Sequence, residues 1–368
     1  MSAVKIRFST VAVLLMLCPT GTFAQSRDPL PVPDVPGFRT LKCDFHLHTV
    51  FSDGEVWPVT RVDEAWRDGL DAIALTDHSG HNPHKPDVSA DLSRPFDIAR
   101  QHAVRLGLIL IPGVEVMEGN AHFNLLYVSD PNAFLGLKML PALRAAARQK
   151  AFAFWNHPGW KETPRWSEMI AQAHSESLFR GVELVNGPSY YPEVFGFVNE
   201  RNLTILANSD VHAPVQSEYD KRTRPVTLVF ARTRDDAGIR DALDSGRTIA
   251  WMNGQLWGRA ELLTELWKAS VSGQSARLSF ADTVRRAALR IANRSAIPFQ
   301  VRIVKTPPWL FCGEASLGAE REAALPVSLA KDAPTGRHEV GIEAEIMNLH
   351  PAHGENLRVR LSLEVDIK

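Results

Sequence analysis

Leu41-Lys42-Cys43-Asp44-Phe45-His46-Leu47-His48 is a largely apolar run that closes on two histidines, two positions apart. Alternate side chains of an extended strand share a face, so His46 and His48 can converge on one ion. An exposed pair on an edge strand is the plain alternative, and the apolar approach to the pair argues against it. Ser52-Asp53-Gly54 follows, a turn triplet able to fold Asp53 back over the strand end. Ala72-Ile73-Ala74-Leu75-Thr76-Asp77-His78 is a second buried-strand pattern, ending in an acid and an imidazole that are costly to bury unless paired or metal-bound. Gly113-Val114-Glu115 closes a third run, where a carboxylate can bridge two cations and a neutral imidazole cannot. Asn120-Ala121-His122-Phe123-Asn124, Trp155-Asn156-His157-Pro158 and Asn208-Ser209-Asp210-Val211-His212 repeat the arrangement. Any one of these reads alone as a satisfied polar residue. Six in order at strand ends form a constellation.

Working outward, Leu41–His48, Ala72–Asp77, Leu108–Val116, Asn124–Val128, Phe152–Asn156, Val182–Val185 and Thr204–Ala207 read as strands. Val59–Gly69, Phe96–Leu106, Leu137–Lys150, Trp166–Glu176 and Val194–Glu200 carry helical spacing between them. Such alternation predicts a parallel sheet with crossovers. About seven repeats without a Gly-rich dinucleotide loop point to an α/β barrel, whose chemistry gathers at the carboxyl ends of the strands. Asp235–Ser245 and Ala260–Ala269 extend the helical spacing around a short strand at Thr248–Met252. From Val271 the texture changes to period-two alternation, in Leu289–Ala292, Phe299–Val304, Glu339–Ala344 and Leu357–Val365, which predicts a small C-terminal antiparallel β-sandwich.

The chain has 368 residues, enough for one large domain and a smaller companion. Lys5 and Arg7, the apolar run Val11–Leu17 and Thr22-Phe23-Ala24 read as a secretory signal cleaved before Gln25, with lipid attachment at Cys18 the less favoured route. The run is shorter than the about 20 apolar residues a bilayer span needs, so no stable membrane insertion is expected. The organisation expected is a signal peptide at 1–24, a Pro-rich leader at 25–38, a barrel at 39–270 and a sandwich at 271–368, in a periplasmic or secreted protein. Net charge is −1, without the basic footprint of nucleic-acid binding. Cys43 and Cys312 could form a disulfide after export, but two thiols are preferred.

The succession His-x-His, Ser-Asp-Gly, Thr-Asp-His, strand-end Glu, His-Pro and Asp-x-His resembles the polymerase-and-histidinol-phosphatase (PHP) superfamily, over roughly Leu41 to Ala213. The resemblance implies a distorted (β/α)7 barrel and a multinuclear centre of two or three divalent ions. One ion would take His46, His48, Glu115 and Asp210, and Glu115 would bridge to a second on His122 and His157. Asp53, His78 and His212 would hold a third, with Asp53 standing where some members have histidine. Asp77 is expected to accept a hydrogen bond from an imidazole. The Ala121-His122-Phe123-Asn124 segment resembles the carbaryl hydrolase-like branch.

Mixed nitrogen and oxygen ligands suit zinc, manganese or iron. Clustered divalent ions lower the pKa of bound water, so the expected reaction is hydrolysis by a metal-bound hydroxide, most simply of a phosphoester. His212 or His81 would protonate the leaving group. The loop residues His81, His84 and Lys85, and Lys221, Arg222 and Arg224, are solvated charges or a clamp for an anionic small-molecule substrate. His102 and His174 read as surface residues, and His338, His350 and His353 belong to the sandwich without a ligand set.

Three alternatives compete. An amidohydrolase barrel also opens on His-x-His but lacks the Thr-Asp-His strand end. Carbamate or amide hydrolysis would use the same donors. A non-catalytic metal- or glycan-binding protein would be expected to have lost ligands. The sandwich could also carry homo-oligomer contacts, and Trp309 is its exposed-looking aromatic.

Overall fold

The computed structural model of the protein describes residues 26–220, 223–273, 275–281 and 284–368. The signal segment at 1–24, and Lys221 and Arg222, lie outside the described residues. The first elements are β1 (Arg39–Asp44), α1 (Pro58–Arg67), β2 (Ala72–Leu75), α2 (Arg94–Leu106) and β3 (Ile109–Glu118). Prolines sit in the first turns of both helices, where a missing N–H costs nothing. α2 ends on Gly107 in a left-handed conformation. β1, β2 and β3 pair in parallel, as the strand-helix alternation predicts.

Beyond β3 the all-parallel expectation fails. β3 turns through Gly119 and Asn120 into β4 (Ala121–Leu126), and the two pair antiparallel. Two residues cannot carry a parallel crossover, which needs a dozen or more, and Gly119 at φ 61° makes the tight turn. After α3 (Met139–Arg148), β5 (Phe152–Trp155) pairs antiparallel with β4. Parallel order resumes through α4 (Glu168–Ser175), β6 (Gly181–Asn186), the short β7 (Ser189–Tyr190), α5 (Val194–Arg201) and β8 (Thr204–Asn208), with β5, β6 and β8 aligned.

The short α6 (Val215–Glu218) leads to β9 (Val226–Ala231), a wholly buried strand, apolar but for Thr227, that the sequence reading passed over. It lies antiparallel on β1 and is followed by α7 (Asp236–Asp244), β10 (Thr248–Met252), β11 (Gln255–Gly258) and α8 (Ala260–Ser270). One mixed sheet therefore runs β11-β10-β9-β1-β2-β3-β4-β5-β6, with β8 on β6. Its ends curl toward each other. The Thr227 hydroxyl donates to Ala207 O at 2.8 Å and the Thr248 hydroxyl to Ile205 O at 2.6 Å, joining β8 to β9 and β10 by side chains instead of a ladder.

The remaining strands are β12 (Val271–Ser272), β13 (Ser275–Phe280), β14 (Arg286–Asn293), β15 (Phe299–Lys305), β16 (Leu310–Cys312), β17 (Ala315–Leu317), β18 (Glu322–Leu329), β19 (Gly336–Ile346), β20 (Leu349–His350) and β21 (Leu357–Ile367). They form a four-stranded sheet, β12-β14-β18-β16, and a five-stranded sheet, β13-β21-β19-β15-β17. The pairing is antiparallel except that β13 runs parallel to β21. Alternation sends Leu361, Leu363, Val365 and Ile367 inward, into one apolar core shared with Leu263, Leu266 and Trp267 of α8. β20 leaves these sheets and adds to β11. Asn348 secures that junction, donating to Gly254 O at 2.6 Å and Pro298 O at 2.8 Å.

Cys43 and Cys312 are free thiols, the first buried and the second partly so. Trp309 is not the exposed aromatic expected of it. It packs against the core with its ring 5.3 Å from that of His338, and the exposed residue is Phe311 on β16. No described helix is long and apolar enough to cross a membrane.

Candidate metal centre

β1 ends at Asp44, two residues before the first histidine. His46 and His48 lie on the extended segment beyond it, held by a parallel bridge between Leu47 and Val211 and by His48 N donating to Val211 O at 3.1 Å. Ser52-Asp53-Gly54 folds back as read, with Ser52 N and Gly54 N both donating to Thr49 O at 3.0 Å. Gly54 lies so close to His48 that an added Cβ would meet backbone atoms at 2.6 Å. Gly54→Ala should therefore lift Asp53 away from the histidines and lower stability by about 1–3 kcal/mol. Urea unfolding together with metal content checks it, and an unchanged midpoint with full metal content would refute the packing argument.

Glu115, on β3, is the hub. Its Oε2 lies 3.2 Å from both His46 Nε2 and His48 Nε2 and 3.0 Å from His78 Nδ1. Its Oε1 lies 2.9 Å from His122 Nδ1 and 3.4 Å from His157 Nε2, and accepts from Asn156 Nδ2 at 2.8 Å. Asp210 Oδ1 is 3.0 Å from His46 Nε2 and from His48 Nε2, and those two nitrogens are 3.1 Å apart. Donors about 2.0–2.2 Å from one tetrahedral ion stand about 3.3–3.6 Å from each other, so this set is close to the size an ion needs.

Asp53 collects the rest. Its Oδ1 is 3.4 Å from His212 Nε2 and its Oδ2 3.6 Å from His78 Nε2. The His212 Nδ1–H donates to Asp210 O at 2.7 Å, which turns Nε2 toward Asp53. His81, half-exposed, reaches Asp53 Oδ2 at 3.8 Å. Four overlapping sets can converge on an ion: His46, His48 and Asp210; His46, Glu115 and His157; His78, Glu115 and His122; and His48, Asp53, His78 and His212.

The donor set fits divalent ions. Asp53 Oδ1 and His78 Nδ1, both turned into the donor set, are buried without a hydrogen-bond partner, a cost that coordination would remove. Asp210 and His157 hold left-handed backbones, φ 54° and 26°, each costing of order 1–3 kcal/mol and typical of functional sites. Burial lowers the affinity of His48 for a proton, but hydrogen bonds to Asp210 and Glu115 outweigh it and raise its pKa to about 10. His46 is likewise raised, burial being outweighed by Asp210, Glu115 and Glu183. Burial opposes ionisation of Asp53, Glu115 and Asp210, yet the facing histidines hold all three well below the carboxylate range. Cations and protons compete for such a cluster.

Several supporting residues were missed or misread. Glu183, in the middle of buried β6, accepts from His46 Nδ1 at 2.9 Å, Asn208 Nδ2 at 2.9 Å, Asn186 Nδ2 at 2.9 Å and the His157 amide at 2.7 Å. A carboxylate inside the apolar run Gly181–Asn186 was the signal. Arg61, fully buried on α1, donates to His48 O at 2.8 Å, Ala213 O at 2.9 Å and His212 O at 2.6 Å, tying the two histidine loops together. Asp77 does not bond an imidazole directly. It accepts from Thr49 N at 2.7 Å, the Thr49 hydroxyl at 2.8 Å and the Ser52 hydroxyl at 2.7 Å, and Ser52 Oγ lies 3.2 Å from His48 Nδ1. The short Thr49-to-Ser52 turn supplies donors nearer than any ring. Arg224 is neither solvated nor free for substrate, because its guanidinium bonds buried Asp44 at 2.8 Å and Asp68 at 2.9 Å.

No protein-family model matches the chain. In sequence, 78 residues are 37% identical to an uncharacterized protein of Methanocaldococcus jannaschii, spanning 21% of this chain and 34%, about a third, of that curated relative. In structure, an amidohydrolase from Chromobacterium violaceum with bound sulfate and no metal is 15% identical over 47% of this chain and 88% of that one, with a TM-score of 0.36, too remote to carry an argument. A two-domain protein from Bacteroides vulgatus containing a predicted PHP-like metal-dependent phosphoesterase is much nearer: 36% identical over 92% of this chain and 100% of that one, with a TM-score of 0.86. Likeness of that degree over 92% of this chain means that it belongs to the PHP-like family and is a metal-dependent hydrolase of PHP type.

Proposed function

We propose that the chain is an exported phosphoesterase acting on a small-molecule ester through two or three divalent ions, zinc, manganese or iron. The observation that supports this best is Glu115, whose two oxygens face five imidazoles in the way a carboxylate shared between ions would. His46, His48, Glu115 and Asp210 would hold one ion, Glu115 with His122 and His157 another, and Asp53, His78 and His212 a third. Bound divalent ions would activate water and neutralise charge on the phosphoryl oxygens. Arg61, Asp77 and Glu183 would orient the donors, and His81, unburdened by a second bond, would protonate the leaving oxygen.

The architecture proposed around this centre is a distorted (β/α)7 barrel at 39–270 and a β-sandwich at 271–368, after a signal peptide at 1–24 and a leader at 25–38. The protein would be periplasmic or secreted, without nucleic acid or stable membrane insertion. The sandwich would carry any homo-oligomer contact.

The buried arginines near the centre, Arg61 and Arg224, are both committed to protein acceptors. A dianionic monoester would therefore be less well neutralised than a diester, and kcat/KM for a bis-aryl phosphodiester should equal or exceed that for the matching monoester on protein loaded with manganese or zinc. The same observation favours a second reading, carbamate or amide hydrolysis. Cleavage of an aryl carbamate or amide about a hundredfold faster than both phosphoesters would replace the phosphoesterase reading with that one.

A further inference from the structure

Large apolar side chains rarely stay exposed without a use when they gather in one place. Trp57, Leu135 and Trp160 are among the eight large apolar side chains exposed in the described residues. The Trp160 ring stands 5.5 Å from that of His122 and 5.4 Å from that of His157, and its backbone N–H donates to His157 O at 3.0 Å. Trp57 meets Phe51 edge-on at 5.9 Å. Phe51, Leu92 and Leu135 in turn form an apolar wall of a cavity of about 450 Å³ that opens on His78 and carries Ser79, His81, Asn82 and Lys85 as its polar side. That volume lies within the roughly 300–1,000 Å³ of ligand pockets. A hydrocarbon ring seated against this wall would lose no hydrogen bonds.

We propose that Leu135, Trp160 and the Phe51–Leu92 wall form an apolar collar for the organic substituent of the ester, so that the substrate is an ester of a phenol or other apolar ring alcohol. This rests on the phosphoesterase reading. The test compares phenylphosphonate with methylphosphonate, which share one anionic head and differ by the ring, by titration calorimetry on metal-loaded protein. Phenylphosphonate should bind about tenfold tighter. Leu135→Ala and Trp160→Ala should each cut that preference by about threefold or more, and Leu135→Ala should leave methylphosphonate affinity unchanged. Because Trp160 packs on two candidate ligands, the methylphosphonate arm reports whether the centre itself is disturbed, and Leu135→Ala tests the collar without touching those rings. Equal affinity for the two phosphonates, or a preference that survives both substitutions, overturns the collar and leaves the phosphoesterase reading standing. Binding of neither overturns both.

Discussion

Glu115→Ala is expected to leave a folded protein that hydrolyses its substrate on the order of a thousandfold more slowly or worse. Glu115 is fully buried, and the five histidines it faces come from four places in the chain: His46 and His48 beyond β1, His78 beyond β2, His122 on β4 and His157 beyond β5. Without the carboxylate, cations brought into this space would repel one another with nothing between them, so metal content should fall together with turnover. Both quantities are needed, because loss of activity alone would also follow from a displaced strand. Mass spectrometry of the metals, a far-ultraviolet spectrum and kcat/KM on one preparation decide the matter. Full metal occupancy with turnover within about tenfold of the unaltered protein would remove Glu115 from the centre.

The second large effect is expected at a residue that would touch no ion. Glu183→Gln should weaken metal binding by about 10–100-fold, the usual cost of removing a carboxylate that orients a ligating histidine. All four hydrogen bonds to Glu183 come from donors, so a carboxamide NH2 would face N–H groups on one side. His46 would lose the acceptor that keeps its proton on Nδ1 and its Nε2 turned toward His48, Glu115 and Asp210. Chelator competition measures the change in affinity directly. A merely structural Glu183 would lower the unfolding midpoint and leave the metal dissociation constant of the folded fraction unchanged, and that result would refute the orienting role.

Histidine, aspartate and glutamate at the ends of apolar runs were legible because burial of a polar group is costly and therefore informative. The runs ending at Asp77-His78 and Asp210-Val211-His212 told where strands stop, whereas Glu115 lies inside β3, which continues to Glu118. The alternation through β3 was legible for the same reason, since a helical period and an apolar run differ in spacing. β9 was missed although Val226–Ala231 is apolar but for Thr227, because a run of that length can be strand or helix and carries no strand-end polar residue.

The sequence by itself determined the element order of the first half, the positions of the donor residues and the change of texture near Val271, because local pattern and the cost of buried charge act along the chain. Only the tertiary structure decided direction and partnership. Whether β4 and β9 run with or against their neighbours depends on connection length and on which edge is left to fill. Arg224 became the partner of Asp44, and Glu183 the partner of His46, across separations of 180 and 137 residues. No periodicity records such distances. Buried polar groups must be satisfied by whatever the fold brings near, so their partners are set by the packing of the whole sheet and not by the segment in which each one stands.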